Sequence, residues 1–359
     1  MAYTTIDDPS AYFHTQLYTG NGASSHSITN NANAGDFKPD WLWVKNRSSS
    51  GGTGPNIVFD TTRGNTKDLH VNNTEAEHTN SDVLLSFDTD GFSVGTSGAV
   101  NNNTDNFVAW QWKANGGTTS TNTAGTNIDT TVQVNTTAGF SIMTYTGTGT
   151  DNDSIGHGLG AAPHWIIVKN RDETNGWQVY HHKNTSAPET DYLNLQSTNA
   201  TQDDHDRWSD QAPSSTVITL GGNDGVSKAS TNYVCYAFTE VQGYSKFGSY
   251  TGNGNADGPF VYTGFKPAWI MTKRTDASSQ AWNIQDNKRS PINVQDNFIQ
   301  TDSDAEASAG GTGIWDSLSN GFKLRQNLQS TNNSGSNYIY MAFAESPFVS
   351  SKGVPTTAR

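Results

Sequence analysis

The sequence predicts an all-β protein made of three tandem β-sandwich or jelly-roll domains. Three observations carry this. One set of markers recurs three times in the same order. Strand-length runs rich in β-formers alternate with turn clusters. No 11-residue window shows helical apolar spacing. Aliphatic content is low, but aromatics reach 11% with ten Trp, so there is material for several cores.

The first marker is Tyr-Thr-Gly-x-Gly, at residues 18–22, 145–149 and 250–254. The second is Pro-x-Trp heading a mainly apolar run that ends in a basic residue: Pro39, Trp41 and Lys45; Pro163, Trp165 and Lys169; Pro267, Trp269 and Lys273. The third is Asn-aromatic-aliphatic with an aromatic four positions after the aliphatic residue. It places Trp112 after Asn106, Phe238 after Asn232 and Phe343 after Asn337. From the Tyr to the Pro is 21, 18 and 17 residues, and from the Pro to the Asn is 67, 69 and 70.

Taken in order, the elements read as strands. Trp41 and Trp43 stand two apart and share a face of an extended segment. Residues 56–59, 83–87 and 107–112 are strand-length and rich in β-formers, and the 88–91 and 319–321 clusters are turns. Residues 165–168 form a continuous apolar run, as in a strand covered on both faces. The expected organisation is an N-terminal arm (1–10), a first unit (11–114), a polar linker (115–138), a second unit (139–241), a third unit (243–349) and a C-terminal tail (350–359). The three-residue join at 241–243 predicts a rigid pair of units two and three, with unit one on a tether. The recurrent Trp41, Trp165 and Trp269 are expected to anchor the sandwich cores.

A net charge of −13 argues against nucleic acid held through phosphates and against docking on anionic lipid. No apolar run reaches the roughly 18–20 residues of a membrane helix. The opening lacks the basic and apolar regions of a signal peptide, so folding in a cytoplasm is expected. Cys235 is the single cysteine. It excludes an intrachain disulfide and reads as a small buried hydrophobe.

The markers, with the opening at residues 3–13, the run from Phe37 to Arg47, residues 90–95, 138–142 and 157–160, the run from Trp165 to Arg171, and residues 264–267 and 342–345, resemble a family of tandem-repeat structural proteins of marine tailed bacteriophages. The resemblance implies lectin-like sandwich domains and a virion location, tail-fibre-like or on the head surface. It implies other virion proteins as partners. A homo-oligomer, a trimer in particular, is expected. The leading expectation is a non-enzymatic attachment or receptor-binding subunit. A head decoration or fibre protein is the alternative, and a glycan-binding module or a polysaccharide-degrading tailspike is a second one, with host surface glycan as the ligand.

No catalytic, cofactor or metal residue is assigned. His157, His164, His181, His182 and His205 lack the spacing of a zinc site and are expected to be polar surface imidazoles. The acidic clusters at 151–153, 203–206 and 302–306 do not match a Ca²⁺ loop and read as solvated turns. Gly20 and Gly22 read as a β-turn, not a phosphate cradle. The non-recurrent Trp208 and Trp315 are the expected partner or glycan contacts. Tyr3, Ile6, Tyr12 and Phe13 are the side chains of an expected assembly arm, which would add to a neighbour's sheet edge.

Overall fold

The Pro-x-Trp strand is the middle of each unit in the computed structural model, which describes residues 2–48, 54–303, 308–309 and 313–357. The protein is all-β, with several antiparallel sheets. In unit one a six-stranded sheet runs Phe13–Thr19, Asn106–Trp112, Trp41–Asn46, Asn56–Asp60, Lys67–His70, His78–Thr79. A three-stranded sheet of His26–Ile28, Gly91–Val94 and Leu84–Asp88 accompanies it. Unit three repeats the plan, with Trp269 inside Phe265–Arg274 and a three-stranded sheet of Phe260–Tyr262, Gly321–Leu324 and Trp315–Leu318. Unit two has eight strands in its large sheet and three in its small one.

The markers are cross-strand pairs. Tyr18 stands opposite Phe107, Tyr145 opposite Tyr233 and Tyr250 opposite Tyr338, each pair stacked with ring centroids 4.9–5.1 Å apart. Each tyrosine hydroxyl donates to the carbonyl of a buried residue, Val100, Val226 and Thr331 respectively, at 2.6–2.8 Å. The first marker glycine is required there. A Cβ on Gly20, Gly147 or Gly252 would stand 2.1–2.5 Å from a backbone oxygen of Asn102, Lys228 or Asn333. Trp41, Trp165 and Trp269 in turn pair with Trp112, Phe238 and Phe343.

All six residues of Trp41–Asn46 are buried, and so are all six of Trp165–Asn170. Alternation sends them to two different cores. Leu42 and Val44 pack with Ile28, Phe92 and Val94 of the small sheet. Trp41 and Trp43 point the other way, into one cluster shared by all three units. That cluster also holds Trp110 and Trp112, then Trp165, Tyr236 and Phe238, then Trp269, Trp282 and Phe343. The recurrent tryptophans are buried as expected, but they anchor the packing between units. The small sheet already covers the opposite face, so the largest side chains meet the other repeats.

Two expectations on organisation need correction. The segment read as a linker holds strands Ser120–Asn122, Asn127–Ile128 and Thr130–Asn135, the last paired with Phe140–Thr146. Its alternating Thr and Val satisfy a strand despite a polar composition. Unit one is not tethered: its sheet shares the common core with units two and three.

Candidate functional site

The seams between units form two closed cycles of hydrogen bonds. The strand after each Pro-x-Trp strand begins near Asn56, Trp177 and Trp282, at matching register. Trp177 Nε1 donates to His70 O of unit one (2.9 Å), and Trp282 Nε1 to Asn194 O of unit two (3.0 Å). Asn56 Nδ2 donates to Gln300 O of unit three (3.2 Å). Unit one has Asn where the others have Trp, and Trp43 supplies the indole from the neighbouring strand, donating to Asn56 Oδ1 (3.1 Å).

The second cycle lies where those strands end, opposite the marker tryptophans. Asp60 accepts from Tyr236 OH of unit two (2.7 Å), and Asp286 from Trp110 Nε1 of unit one (3.0 Å). His181 bonds through Nε2 to Tyr340 O of unit three (3.2 Å). Each carboxylate is also gripped by an arginine three residues on, Arg63 and Arg289, with all four side chains fully buried. His181 is neutral: burial, first of all, pushes its pKa well below the usual value. Its Nδ1 accepts from Lys183 N (3.1 Å), which leaves Nε2 to carry the proton.

The recurrent Lys45, Lys169 and Lys273 are fully buried as well. Their ammonium groups donate to carbonyls of Gly54, Asn170 and Gln280. Burial pushes Lys169 down to about 7 and Lys273 to about 8.

The arm side chains are used inside the chain. Tyr3 OH donates to Gly264 O (2.7 Å), and Thr4 Oγ1 to Gln242 O (2.8 Å). Ile6 and Phe13 belong to the shared core, and Tyr12 meets Tyr244 edge-on. Asp7 ties the other end by accepting from Ser351 N (2.6 Å). The segment therefore closes the body on itself, because its apolar side chains have a core of their own chain within reach. Trp208 and Trp315 are also corrected: both are at most 1% exposed, in the inner cores of units two and three. Lacking a repeat did not mean lacking a core.

The histidines of unit two are not uniformly surface groups. His157 and His181 are fully buried, and His164 stacks edge-on against His182 at 4.4 Å. His205 is exposed between Asp151 and Asp210. Asp204 caps the short helix His205–Trp208 and pairs with Arg207. Of the third acidic cluster, Asp304 and Glu306 lie outside the described residues.

Two features escape a reading of the sequence alone. Phe260 and Tyr262, two apart on an edge strand, are 46% and 53% exposed on one face. In unit one, Asp68, His70 and His78 bring one ligand atom each within 4.8 Å of one another. Period-two spacing of Asp68 and His70 was visible, but His78 joins them only through strand pairing.

Residues 8–347 match the model of a family described as a domain of unknown function, DUF7483, and the chain belongs to that family. No curated protein and no solved structure matches it.

Proposed function

We propose that the protein is a bacteriophage virion structural protein with a non-catalytic role, an attachment subunit on the particle surface. Its units are read as three tandem β-sandwich repeats, each a large sheet facing a three-stranded one. The observation that supports a structural role is the closed cycle: unit one bonds to three, three to two and two to one through matching positions. Such closure yields a stiff body with threefold-like geometry in one chain. A homotrimer is then not needed to build that geometry, and one chain per attachment point is expected.

Labelling purified particles with an antibody to the chain tests this. Label at the tail supports the attachment reading, and label over the head selects the decoration alternative. Absence of the chain from intact particles overturns both.

A second reading, contact with host glycan, is favoured by Phe260 and Tyr262. Aromatic faces exposed side by side suit stacking on sugar rings. The double variant F260A/Y262A should lose saturable binding to host polysaccharide with little change in melting. Unchanged binding would remove this reading.

A further inference from the structure

We propose that Asp68, His70 and His78 form a site for a divalent transition metal of zinc-like preference, with Glu75 orienting the two imidazoles from outside.

The hairpin builds the site. Asp68 and His70 stand two apart on Lys67–His70, so they share a face. His78 lies directly opposite Asp68 on the paired strand His78–Thr79. Asp68 Oδ2 is 3.5 Å from His70 Nε2 and 3.2 Å from His78 Nδ1. Ligand atoms at ~2.0–2.1 Å from a tetrahedral Zn²⁺ stand about 3.3 Å apart, so both separations match. Two imidazoles and a carboxylate are zinc-type donors, and the remaining position would be open to solvent beside His78, whose side chain is 37% exposed.

The outer groups are in place. Glu75 Oε2 faces the other nitrogen of each ring, His70 Nδ1 at 3.3 Å and His78 Nε2 at 3.8 Å. A carboxylate on the far nitrogen fixes the tautomer that turns the near nitrogen toward a metal. Asn80 Nδ2 donates to Asp68 Oδ1 (2.8 Å), and Asn73 Nδ2 to Glu75 Oε2 (2.7 Å). Asp68 is 1% exposed, and among the described residues its ion pairs are with these two imidazoles alone. A divalent cation would supply the charge that a buried carboxylate otherwise lacks.

The same hairpin is the clasp of unit one on unit two. His70 O receives Trp177, Thr74 O receives Asn175 N (2.8 Å) and Glu77 receives Arg171 (2.8 Å). A bound ion would stiffen the seam.

The test uses the full chain without a histidine tag, stripped with EDTA, then titrated with ZnCl₂ by calorimetry and with Co²⁺ by visible absorption. One ion per chain is expected, with a higher melting temperature and a tetrahedral Co²⁺ spectrum. D68N and H78N should each weaken binding at least tenfold, and E75Q by about tenfold. H205N, at a separate exposed histidine, should bind as the wild type does. His78 is partly exposed, so H78N keeps the test valid if D68N does not fold. Failure of Zn²⁺ and Co²⁺ to bind, or unchanged affinity in H78N, would overturn the proposal and leave a hydrogen-bonded histidine pair.

Discussion

The corners at Asp60 and His181 stand at one register, opposite Trp41 and Trp165, and are built from different chemistry. Asp60 is a buried carboxylate held by Arg63, with Tyr236 OH from the neighbouring unit donating to it. His181 is a neutral ring that bonds to the Tyr340 carbonyl. The neighbour explains the difference. Tyr236 and Trp110 occupy one position of the third-marker strand, and each carries a donor. Met341 holds that position in unit three and carries none. A buried carboxylate there would lack its cross-seam donor, whereas imidazole can donate to backbone instead. Position 184 follows suit: Asn184 stands where the other units have Arg63 and Arg289.

The largest expected effect comes from breaking the charged corner. R63M leaves Asp60 buried without its cation and should cost about 3–5 kcal/mol. The matching change at the neutral corner, N184M, removes a hydrogen bond to Thr201 and should cost only about 1 kcal/mol. Chemical denaturation of the two variants measures the contrast; equal losses would show that the corners are energetically alike.

Acid should act on the neutral corner next. Burial pushes the pKa of His182, beside His181, down to about 4. Between about pH 4 and 6.5 the unfolded histidine binds a proton that the folded one refuses. Stability is therefore full above pH 6.5 and falls as pH drops toward 4, by roughly 3 kcal/mol from the shift itself and roughly 2 kcal/mol once solvent screening of this partly buried group is allowed for. H182N should flatten that part of the pH profile. An unchanged slope would assign the acid response elsewhere.

The smallest effect sharpens the first cycle. W282F keeps an aromatic side chain but loses the N–H that meets Asn194 O, for about 1–2 kcal/mol from the bond, besides the packing lost with the smaller ring. W177F, at the equivalent seam, should lose a similar amount. A large difference between them in melting experiments would mean that the cycle is not evenly shared.

Much of this was legible in the residues. The repeated Tyr, Gly and Trp gave the strands and their turns, because a tyrosine stack and a close glycine contact recur wherever the backbone path recurs. The polar 120–135 segment was not legible as strand, since composition pointed to loop while period-two Thr and Val pointed to sheet. Trp208 and Trp315 misled for a related reason. Each fills an inner core that differs from unit to unit, so absence of repetition mimicked freedom from packing. The Asp68 cluster was half visible: Asp68 and His70 by spacing, His78 only through pairing.

By itself the sequence determined the strands, the three-fold repetition and the burial of both faces of the Pro-x-Trp strand. Those follow from local period and from side-chain size. Tertiary structure decided what covers the second face. The alternation of Trp41, Leu42, Trp43 and Val44 says that two cores exist, but not that the Trp face meets Trp165 and Trp269, over a hundred residues away. It also decided the fate of residues 2–13, whose apolar side chains suit a foreign sheet edge as well as their own seam. Hydrophobic burial is non-directional. Only the assembled shape, with a seam within reach of Ile6 and Phe13, selects the surface that they cover.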